Sequence, residues 1–80
     1  MIGSPARGRG WRRRLRRRVV LNLKTGNAIA GVLFDTAGTL LILRDAELLV
    51  ADQAPTKIDG EALVELDEVE FAQLIPAPTR

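Results

Sequence analysis

Cysteine and histidine are absent from this sequence, and only three of its 80 residues, Trp11, Phe34 and Phe71, are aromatic. Without cysteine there is neither a disulfide nor a thiolate nucleophile, and without histidine the commonest general base and metal ligand is gone. The serine and threonine residues have no evident base partner, and no P-loop or dinucleotide fingerprint is present. Carboxylates do cluster at Glu65, Asp67, Glu68 and Glu70, but exposed strand positions and a tight corner account for them; the sharper alternative is a divalent ion at Asp67 and Glu68. No enzyme, no cofactor and no resident metal are therefore expected. Long apolar runs are also missing. Nothing approaches the roughly 18 residues of a membrane span. The basic start is not followed by an apolar stretch of about 7–15 residues, as a signal peptide would require. Residues 19–23 are too few, and Asn22 and Lys24 interrupt them. The chain reads as soluble, not membrane-bound and not exported by a cleavable signal. Lack of cysteine fits a reducing compartment.

A chain of 80 residues forms one domain at most, and a core of that size is marginal unless something else supports it. With no disulfide and no metal, the expected support is association with copies of itself or with other subunits. The formal net charge of +2 conceals a strong asymmetry. Residues 1–18 hold eight arginines and no acid, a net +8; residues 19–80 hold four bases against all ten acids, a net −6. A basic arm on an acidic body is the signature of an interaction tail.

Along the chain, residues 1–10 are mostly Gly, Pro, Ser and Arg with little to bury, so they are expected to be extended or disordered in isolation. In Trp11-Arg-Arg-Arg-Leu-Arg-Arg-Arg-Val-Val20 the residues Trp11, Leu15 and Val19 recur every four positions. That spacing predicts one apolar stripe of a short helix, otherwise covered by arginine. Such a helix repels itself and needs an anion or a packing surface. Five short strands are expected to follow: 19–23, 28–35, 39–44 with 45–50 either extending it or leaving it, 61–66 and 69–75. Lys24-Thr25-Gly26-Asn27 is a tight hairpin signal, and Thr36-Ala37-Gly38 turns the chain again. Residues 51–57, with Pro55, read as the longest loop, and Asp67-Glu68 as a two-residue corner. On the last strand alternation puts Val69, Phe71 and Gln73 on one face. Gly31, between Ile29 and Leu33, marks a sharp bend or a close backbone approach. Five strands with tight turns fit a small, strongly bent, partly open barrel.

In this order of elements, Asn22-Leu-Lys-Thr-Gly26 and Ile29-Ala-Gly-Val-Leu-Phe-Asp35 resemble the opening of an Sm-like domain, itself an SH3-like barrel preceded by a short helix. The family's first motif is matched by Ile29, Gly31, Leu33 and Asp35; Leu40–Leu43 and Asp45-Ala46-Glu47 continue the likeness at one residue more than the usual spacing. The fold that the resemblance implies is mainly β: a basic N-terminal helix or extended arm over 1–18, an Sm-like barrel over 19–75 and a tail over 76–80. It also implies pairing of edge strands into rings and binding of RNA bases in the ring pore. The pore residues depart from the pattern: Thr39 stands where an Asn is expected, and Leu66-Asp67 where an Arg-Gly pair would be. An Asp there repels phosphate, and the acidic body disfavours RNA. The whole chain is also similar in flavour to small proteins encoded by actinobacterial phages.

These readings lead to two expectations. The first is a non-enzymatic assembly protein, such as a minor component of a phage capsid or connector, located in the virion or bacterial cytoplasm. Its barrel would pack on other subunits, with the arm on an acidic protein surface or packaged DNA. The alternative is an Sm-like homo-oligomer that binds RNA or DNA through the arm. In both, Arg7, Arg9, Arg12, Arg13, Arg14, Arg16, Arg17 and Arg18 contact the anionic partner. Trp11 and Leu15 are the packing residues, against the open end of the barrel or a neighbouring subunit, while stacking of Trp11 on a base remains the other reading. Gly31 defines the bend.

Overall fold

A computed structural model describes residues 10–76. A helical turn at 10–12 leads into β1 (Arg18–Leu23), β2 (Ala28–Ala37), β3 (Leu40–Leu49), β4 (Thr56–Ile58), β5 (Ala62–Glu65), a 3₁₀ turn (Leu66–Glu68) and β6 (Val69–Leu74). All pairings are antiparallel, in the order β4-β3-β2-β1-β6, with β5 also on β3. The architecture is the mainly β, bent, Sm-like barrel that the sequence implies.

The core comes from strand alternation. Val19 and Leu21 of β1, Leu33 of β2, Leu41, Leu43 and Ala46 of β3, and Ala62 and Val64 of β5 are buried, and no polar or charged side chain joins them among the described residues. Burying one such leucine or valine contributes about 1.5–3 kcal/mol relative to leaving it exposed, so a core of eight side chains leaves little margin.

Three irregularities bend the sheet. Between Ala30↔Glu47 and Val32↔Arg44, β3 carries one residue more than β2. The extra residue is accommodated at Asp45, whose φ of 51° is left-handed. Opposite it lies Gly31, where an added Cβ would sit 3.1 Å from the Cα and Cβ of Ala46 and from the carbonyl oxygen of Arg44. Gly31 thus marks a close backbone approach, the second of the two roles open to it from sequence. A second shift, between Leu33↔Leu43 and Asp35↔Ile42, leaves Phe34 as the extra residue on β2, and a third, at Asn22/Leu23, leaves Glu70 extra on β6. Bulges of this kind increase local twist and curl a sheet towards closure.

The observed elements differ from the expected ones in four places. The fourth strand is broken: β4 pairs with the far half of β3 and β5 with the near half, with residues 59–61 between them. Thr56 and Lys57, assigned to the long loop from sequence, therefore belong to β4. The second strand continues to Ala37, so the turn is Gly38-Thr39, while residues 45–49 take the first of the two courses open to them and extend the third strand through the Asp45 bulge to Leu49. Finally, the Glu70 bulge divides the predicted face of β6. Val69 packs on the core, but Ala72 and Leu74 lie opposite the buried Leu21 and Val19, which puts Phe71 and Gln73 on the outer face.

Candidate functional site

The arm does not continue as one helix. The amide of Arg14 donates to the carbonyl of Trp11 (2.9 Å) and that of Arg17 to Arg14 (3.1 Å), three-residue closures that tighten the turn. Arg16 then adopts a φ of 70°, and the chain enters β1. Mutual repulsion of six arginines in residues 12–18 opposes a longer helix. The apolar residues still converge: Val19 is wholly buried in β1, while Trp11 and Leu15 pack half-buried against the chain's own core. A backbone clamp holds the arm to the barrel. The Arg16 amide donates to the Leu33 carbonyl at 2.6 Å, and the Leu33 amide donates to the Arg17 carbonyl at 2.9 Å.

This clamp fixes where the guanidinium groups emerge. Arg12, Arg13, Arg14, Arg16, Arg17 and Arg18 are all exposed. Arg12 Nη1 reaches Thr36 Oγ1 at 3.4 Å and Arg14 Nη1 donates to the Gly10 carbonyl at 3.2 Å. The ion pairs among the described residues are Arg44–Glu61 (3.2 Å) and Lys57–Asp45 (4.0 Å); neither involves the arm. These six cations therefore present a solvated positive surface, open to an external anion. Arg7 and Arg9 lie outside the described residues.

Phe34 adds an aromatic element. The Arg44 guanidinium lies 3.5 Å from its ring centroid and that of Arg16 lies 6.0 Å away. This cluster was not legible in the sequence, because it depends on the β2–β3 register that sets Arg44 opposite Val32.

The two segments aligned with the Sm-like pore do meet. The Leu66 amide donates to the Thr39 carbonyl at 2.8 Å, and Thr39 Oγ1 donates to Glu65 Oε1 at 3.0 Å. The 3₁₀ turn also accepts, through the Glu68 carbonyl, the amide of Lys24 at 2.9 Å. The corner is thus built from Thr39, Glu65, Leu66 and Asp67, and its charged side chains are carboxylates. Among the described residues no group of three or more His, Cys, Asp and Glu side chains is arranged to hold a metal ion. No helix among these residues is long and apolar enough to cross a membrane.

The last feature is at the two open edges. β4 and β5, along one edge, and β6, along the other, each pair on one side only. The large apolar residues left exposed are Leu63 on β5 (60%), Phe71 (53%) and Leu74 (38%) on β6, and Ile75 (37%) just beyond it.

An acid-cornered, strongly bent barrel with a clamped basic arm belongs to the Sm-like class of folds. The chain is similar to the SmAP1 heptamer of P. aerophilum (TM-score 0.75, 24% identity, covering 94% of this chain and 100% of that one). It is also similar to a heptameric archaeal Sm protein whose structure was discussed in relation to the eukaryotic snRNP core (TM-score 0.73, 26% identity, 86% and 100%). No family model and no curated protein matches the sequence.

Proposed function

We propose that this chain is an Sm-like ring-forming protein that binds nucleic acid, RNA in the first instance, through its arginine arm and not through the pore corner. The observation that carries the reading is the clamped arm: six exposed guanidinium groups, none in an ion pair with a described residue, held in fixed register with the barrel. Polyanion affinity rests on neutralised phosphates, and the arm is the one strongly basic segment of the chain. The base-reading corner is unsuited to that work because Glu65 and Asp67 oppose phosphate. Oligomerisation is supported by the two open edges, whose exposed apolar residues are what a second strand would cover. It is also supported by the likeness to archaeal heptamers. That likeness favours the nucleic-acid reading over a place in a phage particle, which no comparison supports.

Fluorescence anisotropy with a short single-stranded RNA, titrated at several salt concentrations, tests this. Replacing Arg12, Arg13 and Arg17 together by alanine should lower the slope of log affinity against log salt by about 2, at about 0.7 per phosphate contact on a single strand. Thr39→Ala should leave affinity within about twofold, since the exposed hydroxyl makes no expected phosphate contact. No binding by the intact chain at low salt, or a slope insensitive to the triple substitution, overturns the reading.

A further inference from the structure

The arm is held to the barrel by little, and against opposition. Its hold consists of the two backbone bonds to Leu33, with Trp11 and Leu15 half-buried against the core. Beside this hold the fit is open: a groove of about 350 Å³, lined by Gly10, Trp11, Arg14, Ala72 and Leu74, separates the arm from β6. At the clamp itself Arg16 takes a φ of 70°, a conformation that L side chains resist. Charge opposes closure as well. The clamped arm sets the Arg16 guanidinium 6.0 Å from the Phe34 ring centroid, where that of Arg44 already lies at 3.5 Å. Arg18, Val32 and Arg44 stand in register across three strands, so cations of the arm and of the body gather on one face. Among the described residues Glu61 is the one carboxylate in an ion pair with any of them. We infer that the arm is a strap whose closure on the barrel is coupled to polyanion binding: phosphates relieve the repulsion that closure creates, and RNA binds the closed form. The inference rests on the RNA reading above and adds regulation of the same site.

Coupling of this kind is reciprocal. Where repulsion keeps part of the population open, RNA must also shift that population, and its apparent affinity is reduced by the closed fraction. Two consequences set a strap apart from a rigid arm. Salt acts on it with opposite signs. With no RNA present, screening of the arginines closes the strap, whereas the same salt weakens every phosphate contact. In addition, residues that touch no phosphate control affinity. Leu15 packs on the core and carries no charge, yet loosening it lowers RNA binding through the closed fraction. Arg44 works in the other direction: it belongs to β3 and not to the arm, and removing its charge favours closure.

The amides of Arg16 and Leu33 are the two donors of the clamp, so their hydrogen exchange reports closure directly. It is followed by NMR on the intact chain without RNA, at a concentration where sedimentation velocity gives one mass throughout. Exchange at both should slow about tenfold between about 0.01 M and about 1 M sodium chloride, as the Debye length falls from about 30 to about 3 Å and several like-charge pairs are screened. The amides of β1, a strand paired on both sides, are the control and should change less than about twofold. Emission from Trp11, the chain's single tryptophan, should move to the blue over the same range. Arg44→Gln should slow clamp exchange about threefold at low salt. Leu15→Ala should weaken RNA binding about fivefold in the anisotropy assay; circular dichroism checks that it stays folded, with Leu15→Val as the milder substitute. Clamp exchange that ignores salt overturns the strap alone and leaves a rigid arm. A folded Leu15→Ala chain with the parent's affinity does the same, since closure and RNA binding are then uncoupled. A clamp that tightens with salt in a chain that binds no RNA overturns the RNA reading and leaves the charge-controlled strap standing.

Discussion

Gly31→Ala tests whether the close approach of β2 to the Asp45 bulge is a structural requirement. The added methyl would sit 3.1 Å from three atoms, and two of them, Ala46 Cα and the Arg44 carbonyl oxygen, are backbone. Relief therefore requires β3 to move by a few tenths of an ångström against the paired strands on either side of it. Overpacking of this kind costs about 1–3 kcal/mol. Alanine returns about 0.4–1 kcal/mol by restricting the unfolded chain, because the backbone at Gly31 is not in the left-handed region. The net expectation is a loss of about 1–2 kcal/mol. For a domain this size that is a fall in Tm of about 5–15 °C, followed by thermal circular dichroism at fixed protein concentration, since self-association would otherwise shift the curve. Adding Ala46→Gly removes one of the three contacts and leaves both backbone ones. The double variant should therefore lose less than the sum of the singles, without full recovery. A Gly31→Ala protein as stable as the parent, or more so, would refute the argument.

Three further outcomes are expected. Arg16→Gly should leave stability unchanged or raise it by up to about 1 kcal/mol, because a non-glycine residue pays for φ near 70°, while the RNA salt slope falls by about 0.7; urea denaturation and anisotropy on one preparation separate the two effects. Leu33→Ala, at a wholly buried position, should cost about 2–5 kcal/mol and leave the chain largely unfolded at 37 °C by circular dichroism. Leu63→Ala, at a position 60% exposed, should shift monomer stability by no more than about 0.5 kcal/mol.

Much of this architecture could be read from local pattern. Val19, Leu21 and Leu33 announce their burial by alternation, and Gly31 announces a tight contact by its place between apolar neighbours. The arginine arm is plain from composition. What escaped the sequence is non-local. At Asp45 the sequence leaves open whether the third strand extends or ends, and the bulge through which β3 continues decides it; Thr56–Lys57 look like loop because their pairing with Leu48 and Glu47 lies on an exposed ribbon. The bulges at Phe34 and Glu70 carry no glycine or turn signal, so the faces of the residues around them were open to misassignment. That is why the inward placing of Ala72 and Leu74 on β6 appears only in three dimensions, as does the Phe34–Arg44 contact, which rests on the pairing of β2 with β3. The Thr39–Leu66 corner is non-local as well, closed by a backbone hydrogen bond between segments far apart in the chain.

The bends at Asp45, Phe34 and Glu70 have a consequence beyond enclosing the core. The two open edges are unlike each other, so copies joined through them associate head to tail, and each addition turns the next copy by the same angle. Such a series closes only when that angle divides a full circle; otherwise it winds on as a filament. The curvature that hides eight side chains within one subunit would then also act as the counting rule for the assembly. A residue inserted or lost at one bulge would change the number of subunits before it changed the fold of any one of them.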